Sequence, residues 1–88
     1  MKIRFHRQFK KSYKKRIASN AKLVARFKER LALFVENSAS PELRVHNLVG
    51  EKIHLQAFSI TGDIRVVYHQ EAEDVVLFLD VGIHNQVY

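Results

Sequence analysis

The stretch Ile60-Thr61-Gly62-Asp63-Ile64-Arg65-Val66-Val67-Tyr68 decides the fold of this chain. Its first part, Thr61-Gly62-Asp63, is typical of a tight turn, because glycine adopts positive φ without steric cost and aspartate hydrogen-bonds its own backbone. Its second part is rich in β-branched and aromatic residues and predicts a strand. Alternation gives that strand two faces, one with Arg65, Val67 and His69 and the other with Ile64, Val66 and Tyr68.

Arg65 is the residue of this strand that packing alone does not explain. A guanidinium among apolar neighbours has to reach water, pair with a carboxylate or meet an anion from outside. The strand pattern leaves a salt bridge or a solvent-reaching arginine open. A phosphate site is the functional alternative, because the planar fork of arginine matches phosphate oxygens.

Two helices are predicted before this stretch. Apolar residues four apart predict a helix from His6 to about Ile17. After a short break, in which Ser19 or Asn20 can serve as the N-cap, a second amphipathic helix is predicted from about Ala21 to Asn37. So short a connection predicts an antiparallel helical hairpin.

The other elements are predicted to be strands and turns. Pro41 ends the helical part, and an ordered loop or short turn follows over Leu43–Gly50. Strands are predicted at Lys2–Phe5, at about Ile53–Ile60, at Asp63–His69 and at Asp74–Val81, the last one central. A polar turn is predicted at Gln70–Glu73, and Gly82–Tyr88 is predicted to leave the sheet. The order β-α-α-β-β-β indicates an α+β fold, with the helical hairpin on one face of an antiparallel meander.

Length and composition narrow the class of protein. The 88 residues predict a single domain spanning 1–88. The absence of cysteine excludes a disulfide framework, a thiolate metal site and a thiol nucleophile. No apolar run approaches the length of a membrane span, and the basic start lacks the apolar core of a signal peptide. We therefore expect a soluble, cytoplasmic protein without a membrane partner.

The charge is concentrated in the first third of the chain. Residues 1–30 hold twelve of the 15 Lys and Arg and one acidic residue, whereas residues 31–88 hold three basic and eight acidic residues. This asymmetry favours a polyanionic partner such as RNA, DNA or the ribosome, although a solvated helical face would show the same pattern. The candidate binding residues are Lys10, Lys11, Lys14, Lys15, Arg16, Lys22 and Arg26.

Five polar residues at loop or strand-end positions could carry chemistry: His46, Asp63, Arg65, His84 and Tyr88. Taken singly, His46 could be an exposed loop residue, Asp63 only a turn residue, and Tyr88 a core plug or a platform for a base. Together they match RNA cleavage by the 2′-hydroxyl of the substrate, which needs a base, an acid and a fixed cation. The sequence has no glycine-rich phosphate loop, no HExxH motif and no nucleophile elbow, so neither a metal nor a cofactor is expected.

Three segments carry a resemblance to a known family: His46-Asn-Leu-Val-Gly50, Ile60–Tyr68 and Asp80-Val-Gly-Ile-His-Asn-Gln-Val-Tyr88. Together with the start of the first helix, Phe9-Lys-Lys-Ser-Tyr-Lys-Lys, they resemble the RelE/ParE superfamily of type II toxin–antitoxin toxins, and within it the RelE/StbE and YafQ-like mRNA interferases. The resemblance implies a RelE-like fold and a toxin that cuts mRNA in the ribosomal A site. It also implies an acidic antitoxin protein as partner, besides ribosome and mRNA.

The resemblance assigns a role to each candidate. Arg65 matches the phosphate-contacting arginine, and His84 matches a late catalytic position. His46 and Asp63 match the histidine and the acidic turn residue of YafQ-like members, and Tyr88 matches the terminal aromatic. We expect His46 as base and His84 as acid, or the reverse, with Arg65 as phosphate clamp, Asp63 orienting a histidine and Tyr88 stacking on the substrate.

The chain departs from the pattern on the strand before the turn. Gln56 and Phe58 stand where RelE-type members carry lysines, and Ser59 stands where YafQ-like members carry a histidine. Two other hypotheses therefore stay open. One is a ParE-like toxin that blocks DNA gyrase by binding, and the other is a degenerate, non-toxic RNA- or protein-binding module.

Overall fold

The computed structural model describes residues 1–52 and 54–88, so Ile53, the predicted start of the third strand, lies outside the described residues. Its strands are β1 (Lys2–Phe5), β2 (His46–Asn47), β3 (Gln56–Ser59), β4 (Ile64–Ala72) and β5 (Val75–Ile83). Its helices are α1 (Arg7–Arg16), α2 (Ala21–Glu36) and the short C-terminal α3 (His84–Val87), and 3-10 turns lie at Pro41–Leu43 and Gly50–Lys52.

Both long helices begin at side-chain caps. The His6 ring accepts a hydrogen bond from the Gln8 N–H at 3.0 Å, which caps α1. Asn20 Oδ1 accepts from the N–H groups of Lys22 and Leu23 at 3.1 and 3.2 Å, so that Asn20 is the N-cap of α2. These contacts satisfy backbone donors that the first helical turn leaves without partners. The two predicted helices are confirmed to within a residue or two at each end.

The sheet has the strand order β1-β5-β4-β3-β2. Strands β2 to β5 are antiparallel neighbours, but β1 runs parallel to β5, with Ile3 opposite Val76 and Phe5 opposite Phe78. The prediction of a wholly antiparallel sheet is therefore wrong at β1. The chain between β1 and the meander includes both helices, and a crossover of that length is what a parallel neighbour requires.

The strands differ from the predictions in several details, one of which is that His46–Asn47, predicted as part of a loop or turn, forms β2 against β3. Strand β4 continues to Ala72 through the predicted polar turn, because its exposed end pairs with the start of β5. Strand β5 continues past Gly82 to Ile83, which pairs with Ile64 across the sheet. Strand β5 lies inside the sheet between β1 and β4, as predicted for the most hydrophobic strand, although the middle of the strand order is β4.

The helices cover one face of the sheet with an aromatic core. The Phe34 ring of α2 lies 4.7 Å from Phe58, 5.0 Å from Tyr68 and 5.8 Å from Phe78, measured between ring centroids. Phe9 of α1 lies 5.5 Å from Phe78. These are contact distances for edge-to-face or offset aromatic pairs, and the rings are buried. The predicted hairpin on one face is confirmed.

The opposite face of the sheet carries a smaller apolar cluster. Ala57 of β3 and Val67 of β4 are buried there beneath Leu48 and Val87. This confirms the alternation of β4, whose Val66 and Tyr68 belong to the aromatic core while Val67 faces the other way. Helix α3 therefore folds back over the face on which Arg65 lies, and this places the chain's last residues beside β4.

Candidate active site around Tyr88

Tyr88 is in contact with three of the other four candidate residues. The ring centroid of His84 lies 4.4 Å from that of Tyr88 in an edge-to-face arrangement, and the His46 ring centroid lies at 5.8 Å. The Arg65 guanidinium carbon lies 5.9 Å from the centre of the Tyr88 ring, within range of a cation–π contact. Residues from β2, β4 and α3 thus meet on the face of the sheet that the long helices leave open.

His46 is held through both ring nitrogens. Nδ1 lies 3.2 Å from the main-chain oxygen of Arg44, and Nε2 lies 2.8 Å from the phenol oxygen of Tyr88. A carbonyl oxygen only accepts hydrogen bonds, so Nδ1 has to carry the proton and Nε2 has to present a lone pair to the Tyr88 hydroxyl. This hydrogen-bond network assigns the tautomer that a general base acting through Nε2 requires.

Tyr88 is the donor in this pair. Burial raises the pKa of Tyr88, and the nearby positive charge of Arg65 opposes that rise. The phenol therefore keeps its proton at neutral pH and donates it to His46 Nε2. Tyr88 combines an aromatic face with a hydroxyl that marks the position of the His46 lone pair.

Arg65 forms no salt bridge with a carboxylate in the part of the chain that the structure describes. Its nearest polar contact is a long one, 3.4 Å from Nη1 to the main-chain oxygen of Asp63. No carboxylate of the described residues thus neutralises the half-buried guanidinium on β4. Of the alternatives left open by the strand pattern, a salt bridge is not formed, and the charge is free to meet an anion.

His84 lies between two clefts. The first, of about 330 Å³, is lined by Gly62, Asp63, Arg65, Ile83, His84 and Asn85. The second, of about 460 Å³, has mainly apolar walls and is lined by His46, Asn47, Leu48, Val49, Lys52, His84 and Tyr88. A ligand that occupied both clefts would reach Arg65 on one side of His84 and His46 on the other.

Asp63 lies in this region without contacting a histidine. Its side chain lines the first cleft with His84, but within the described residues its carboxylate hydrogen-bonds neither His46 nor His84. The Asp63 N–H donates to the Thr61 hydroxyl at 3.2 Å within the turn, and its main-chain oxygen accepts the long contact from Arg65. The predicted orienting role of Asp63 therefore has no hydrogen bond to support it.

Sequence reasoning missed Lys52. Its ammonium donates to the main-chain oxygens of Val87 and Tyr88 at 2.8 and 3.2 Å, and so fixes the C-terminal end of α3. The available signal was that Lys52 is one of only three basic residues after position 30.

The predicted RNA-binding residues divide into two groups. Lys10, Lys11, Lys14, Lys15 and Lys22 are exposed. Arg16 instead donates to the Val81 main-chain oxygen at 2.8 Å and lies 3.4 Å from Asp80, so it covers the edge of β5 beyond β1. Arg26 donates to the Ile60 main-chain oxygen at 3.1 Å and pairs with Glu29 at 3.2 Å. Both guanidinium groups already have partners within the protein, so each has fewer N–H groups left for RNA.

The described residues, 1–52 and 54–88, provide neither a metal site nor a helical membrane span. They contain no cluster of three or more His, Asp or Glu side chains able to hold a metal ion. Their helices include none that is both long and apolar enough to cross a membrane.

The architecture is that of RelE-like toxins. The structure is similar to the crystal structure of YafQ from E. coli strain BL21(DE3), with a TM-score of 0.81 at 16% identity over 98% of this chain and 96% of that one. It is also similar to a YoeB/ParE toxin from Agrobacterium tumefaciens, with a TM-score of 0.78 at 15% identity over 96% and 99% of the two chains. A metal-bound toxin from Helicobacter pylori gives a TM-score of 0.76 at 20% identity over 100% and 99%.

The family follows from the sequence itself. The model of the family described as "Bacterial toxin of type II toxin-antitoxin system, YafQ" matches residues 1–88. The chain therefore belongs to the YafQ family of type II toxins within the RelE superfamily, which confirms the resemblance seen in its motifs. Among curated proteins, no sequence matches it.

Proposed function

We propose that this type II toxin is a ribosome-dependent mRNA endoribonuclease that inhibits translation. The observation that carries the proposal is the meeting of His46, His84 and Arg65 around Tyr88, since a proton acceptor, a proton donor and a fixed cation are what the reaction needs. A protein that acts by binding alone needs no such set.

The reaction begins at the ribose. His46 Nε2 takes the proton of the 2′-hydroxyl, and the 2′-oxygen attacks the adjacent phosphorus. The P–O5′ bond then breaks, which leaves a 2′,3′-cyclic phosphate on one fragment. His84 gives a proton to the leaving 5′-oxygen, so the second fragment ends in a 5′-hydroxyl. The Nδ1–H tautomer of His46 favours this assignment over the reverse one.

Arg65 and Tyr88 act on the substrate without taking its protons. The Arg65 guanidinium stabilises the negative charge that develops on the phosphoryl oxygens, usually the largest electrostatic contribution in such a reaction. The Tyr88 hydroxyl holds His46 Nε2 before substrate binds, and the 2′-hydroxyl takes over that position. The Tyr88 ring offers a surface on which a base can stack.

The proposed partners follow the charge of the chain. Structures similar to this one include the E. coli DinJ–YafQ toxin–antitoxin complex. By analogy, an acidic antitoxin segment is expected to fold onto this protein and cover basic surface, restoring growth on co-expression and raising thermal stability. The ribosome and mRNA are the proposed targets in the cytoplasm.

The test compares wild type with His84→Ala on programmed ribosomes with end-mapped mRNA. Loss of a general acid slows cleavage by roughly two to four orders of magnitude. His69→Ala is the matched control, because His69 is exposed on β4 and lines neither cleft. Circular dichroism checks that both variants are folded.

Two results would refute the proposal. One is wild-type protein that leaves mRNA intact and blocks gyrase supercoiling, which would make it a ParE-like inhibitor. The other is wild-type protein that is harmless at high expression and inactive in both assays, which would make it a non-toxic binding module. A folded His84→Ala variant that cuts at the wild-type rate would remove His84 from the mechanism.

A further inference from the structure

A third cleft, of about 400 Å³, lies on the other side of the β3–β4 turn from His84. Three arginines line it: Arg26 and Arg30 from α2, and Arg44 directly after the 3-10 turn at Pro41–Leu43. We call this set the arginine cleft. Among the described residues, Glu42 contributes the one carboxylate of its walls, and Glu29 beside them pairs with Arg26 at 3.2 Å. Three guanidinium groups against two carboxylates still leave an excess of positive charge.

Two of the three guanidinium groups are held by hydrogen bonds to main-chain oxygens. Arg26 Nε donates to the Ile60 main-chain oxygen at 3.1 Å, and Arg30 Nη1 donates to the Glu42 main-chain oxygen at 3.1 Å. The Glu42 carboxylate lies 3.6 Å from the same Arg30 nitrogen, but its side chain is 72% exposed. These contacts hold each fork in place and leave other N–H groups of both forks for a ligand, so little ordering is needed on binding.

Arg30 carries a donor that the protein does not use. Its side chain is only 12% exposed, and its buried Nε has no hydrogen-bond partner among the described residues. Buried N–H groups are nearly always paired, and the exceptions call for an explanation. Because this nitrogen is buried, an anion bound in the cleft would supply the missing acceptor only by drawing the Arg30 fork toward it.

Arg44 is the accessible member of the set. It is exposed, and it forms no salt bridge with an acidic side chain in the described part of the chain. Its φ of 52° lies in the left-handed region, where glycine or asparagine is usual. The backbone therefore does not explain an arginine at this position, whereas a ligand in the cleft would.

We infer that the arginine cleft binds a backbone phosphate of the RNA strand that crosses the active site. Gly62 lies in the walls of both this cleft and the one that contains Arg65 and His84, so a single strand can pass over the turn from one to the other. Planar arginine forks suit phosphate oxygens, and the side chains of Ser59 and Thr61 add hydroxyl groups to the lining. This inference rests on the proposed function, because it takes RNA as the substrate.

The first test measures binding of a fluorescent 2′-O-methyl oligoribonucleotide, which cannot be cleaved, over a range of salt concentrations. Arg44→Gln is expected to weaken binding and to reduce the slope of log K against log salt by about 0.7, the value for one phosphate contact on a single strand. Lys28→Gln is the matched control, because Lys28 is an exposed cation of α2 outside the cleft, and its change should be smaller.

The second test follows the Nε–H signal of Arg30 by ¹H–¹⁵N NMR. It is expected to shift on addition of the oligoribonucleotide and to stay unchanged with a glutamate-rich peptide of equal charge. A shift with the peptide and not with RNA would make the cleft a carboxylate site for a protein partner. An Arg44→Gln variant with the affinity and slope of the Lys28→Gln control would also overturn the inference.

These outcomes are separate from the test of cleavage. If wild type binds the oligoribonucleotide through Arg44 but leaves ribosome-bound mRNA intact, the phosphate subsite stands and the nuclease proposal fails. If wild type cuts mRNA while Arg44→Gln has no effect on binding, the nuclease proposal stands and the subsite is wrong.

Discussion

His46 Nε2 lies 2.8 Å from the phenol oxygen of Tyr88, although 42 residues separate the two in sequence. The other ring nitrogen of His46 lies 3.2 Å from the main-chain oxygen of Arg44. The imidazole is therefore bound on both sides, and its proton belongs on Nδ1. This arrangement prepares His46 to accept a proton and uses Tyr88 to keep its lone pair in position until a substrate hydroxyl replaces the phenol.

The first prediction concerns this tautomer. For the neutral His46 ring of the wild-type protein, long-range ¹H–¹⁵N NMR is expected to show a pyrrole-type Nδ1 and a pyridine-type Nε2. Tyr88→Phe removes the phenol donor, so the ring should begin to sample the other tautomer. A wild-type spectrum with the proton on Nε2 would contradict the assignment and favour His46 as the acid.

Two substitutions of Tyr88 separate the contribution of its hydroxyl to the cleavage rate from the contribution of its ring. Tyr88→Phe loses one hydrogen bond, worth about 1 kcal/mol, and should slow single-turnover mRNA cleavage by roughly two- to tenfold. Tyr88→Ala also loses the contacts with His84 and Arg65 and should slow it further. Equal rates for the two variants would mean that the ring contributes nothing beyond its hydroxyl.

Lys52 is predicted to support activity through the position of α3. Lys52→Met removes the ammonium that holds the Val87 and Tyr88 main-chain oxygens, and so allows the Tyr88 side chain to move. We expect a loss of about 1–3 kcal/mol in the free energy of unfolding and a lower cleavage rate.

The control for Lys52 is Lys28→Met, since Lys28 is exposed on α2 and is not one of the candidate binding residues. Urea denaturation and single-turnover cleavage measure the two effects separately. If the Lys52→Met variant has a free energy of unfolding no lower than that of Lys28→Met, or cuts mRNA as fast, the anchoring role is wrong.

The exposed lysines of α1 are predicted to contact RNA. Reversal of Lys10, Lys11, Lys14 and Lys15 to glutamate should weaken ribosome association by at least about tenfold near 0.1 M salt and flatten its salt dependence. The fold should survive, because all four side chains are exposed on the side of α1 away from buried Phe9.

A smaller reversal provides a control at equal charge. The double variant Lys14→Glu/Lys15→Glu should bind more weakly than Lys2→Glu/Lys28→Glu, which changes two exposed lysines elsewhere. Equal affinity of the two double variants for the ribosome would show that net charge alone determines binding. Binding that is indifferent to salt and to all of these changes would make the α1 lysines a solvated face.

Stability is predicted to fall at high pH through Tyr68. Burial raises the pKa of Tyr68 to about 12, whereas a tyrosine in an unfolded chain titrates near 10. Between pH 10 and 12 the unfolded state therefore loses its proton first, and the free energy of unfolding decreases with rising pH. The stabilisation by protonated Tyr68 is fully present below pH 10, and the free energy of unfolding falls by at most about 3 kcal/mol by pH 12.

The measurement is urea denaturation of wild type and Tyr68→Phe at a series of pH values. The phenylalanine variant lacks this titration, so the stability advantage of wild type over it should shrink from pH 10 to 12. A difference that stays constant over that range would show that Tyr68 titrates alike in the folded and unfolded states.

Local patterns in the sequence determined the helices and strands of this protein. Residues four apart on a helix and two apart on a strand share a face, so the apolar positions of α1, α2 and β4 show which sides are buried. The Asn20 cap and the Thr61-Gly62-Asp63 turn are local in the same sense. The family was also accessible from sequence, because its motifs are short segments in a fixed order.

The pairing of strands that are distant in sequence could not be predicted from such local patterns. Nothing local distinguishes a parallel from an antiparallel neighbour for β1, and its place beside β5 depends on the path of both helices. The two-residue β2 was expected to be loop, because so short a strand exists only through its pairing with β3.

The candidate site, too, could be predicted from the sequence only in part. Its residues could be nominated from sequence because histidines, an arginine and a tyrosine at strand ends have no packing role that periodicity explains. Only the tertiary structure decided that His46 and His84 both contact Tyr88, that Asp63 hydrogen-bonds neither histidine and that Lys52 holds α3. These contacts arise because β2 joins the edge of the sheet while α3 folds back across its open face, and no local spacing encodes where two such distant segments meet.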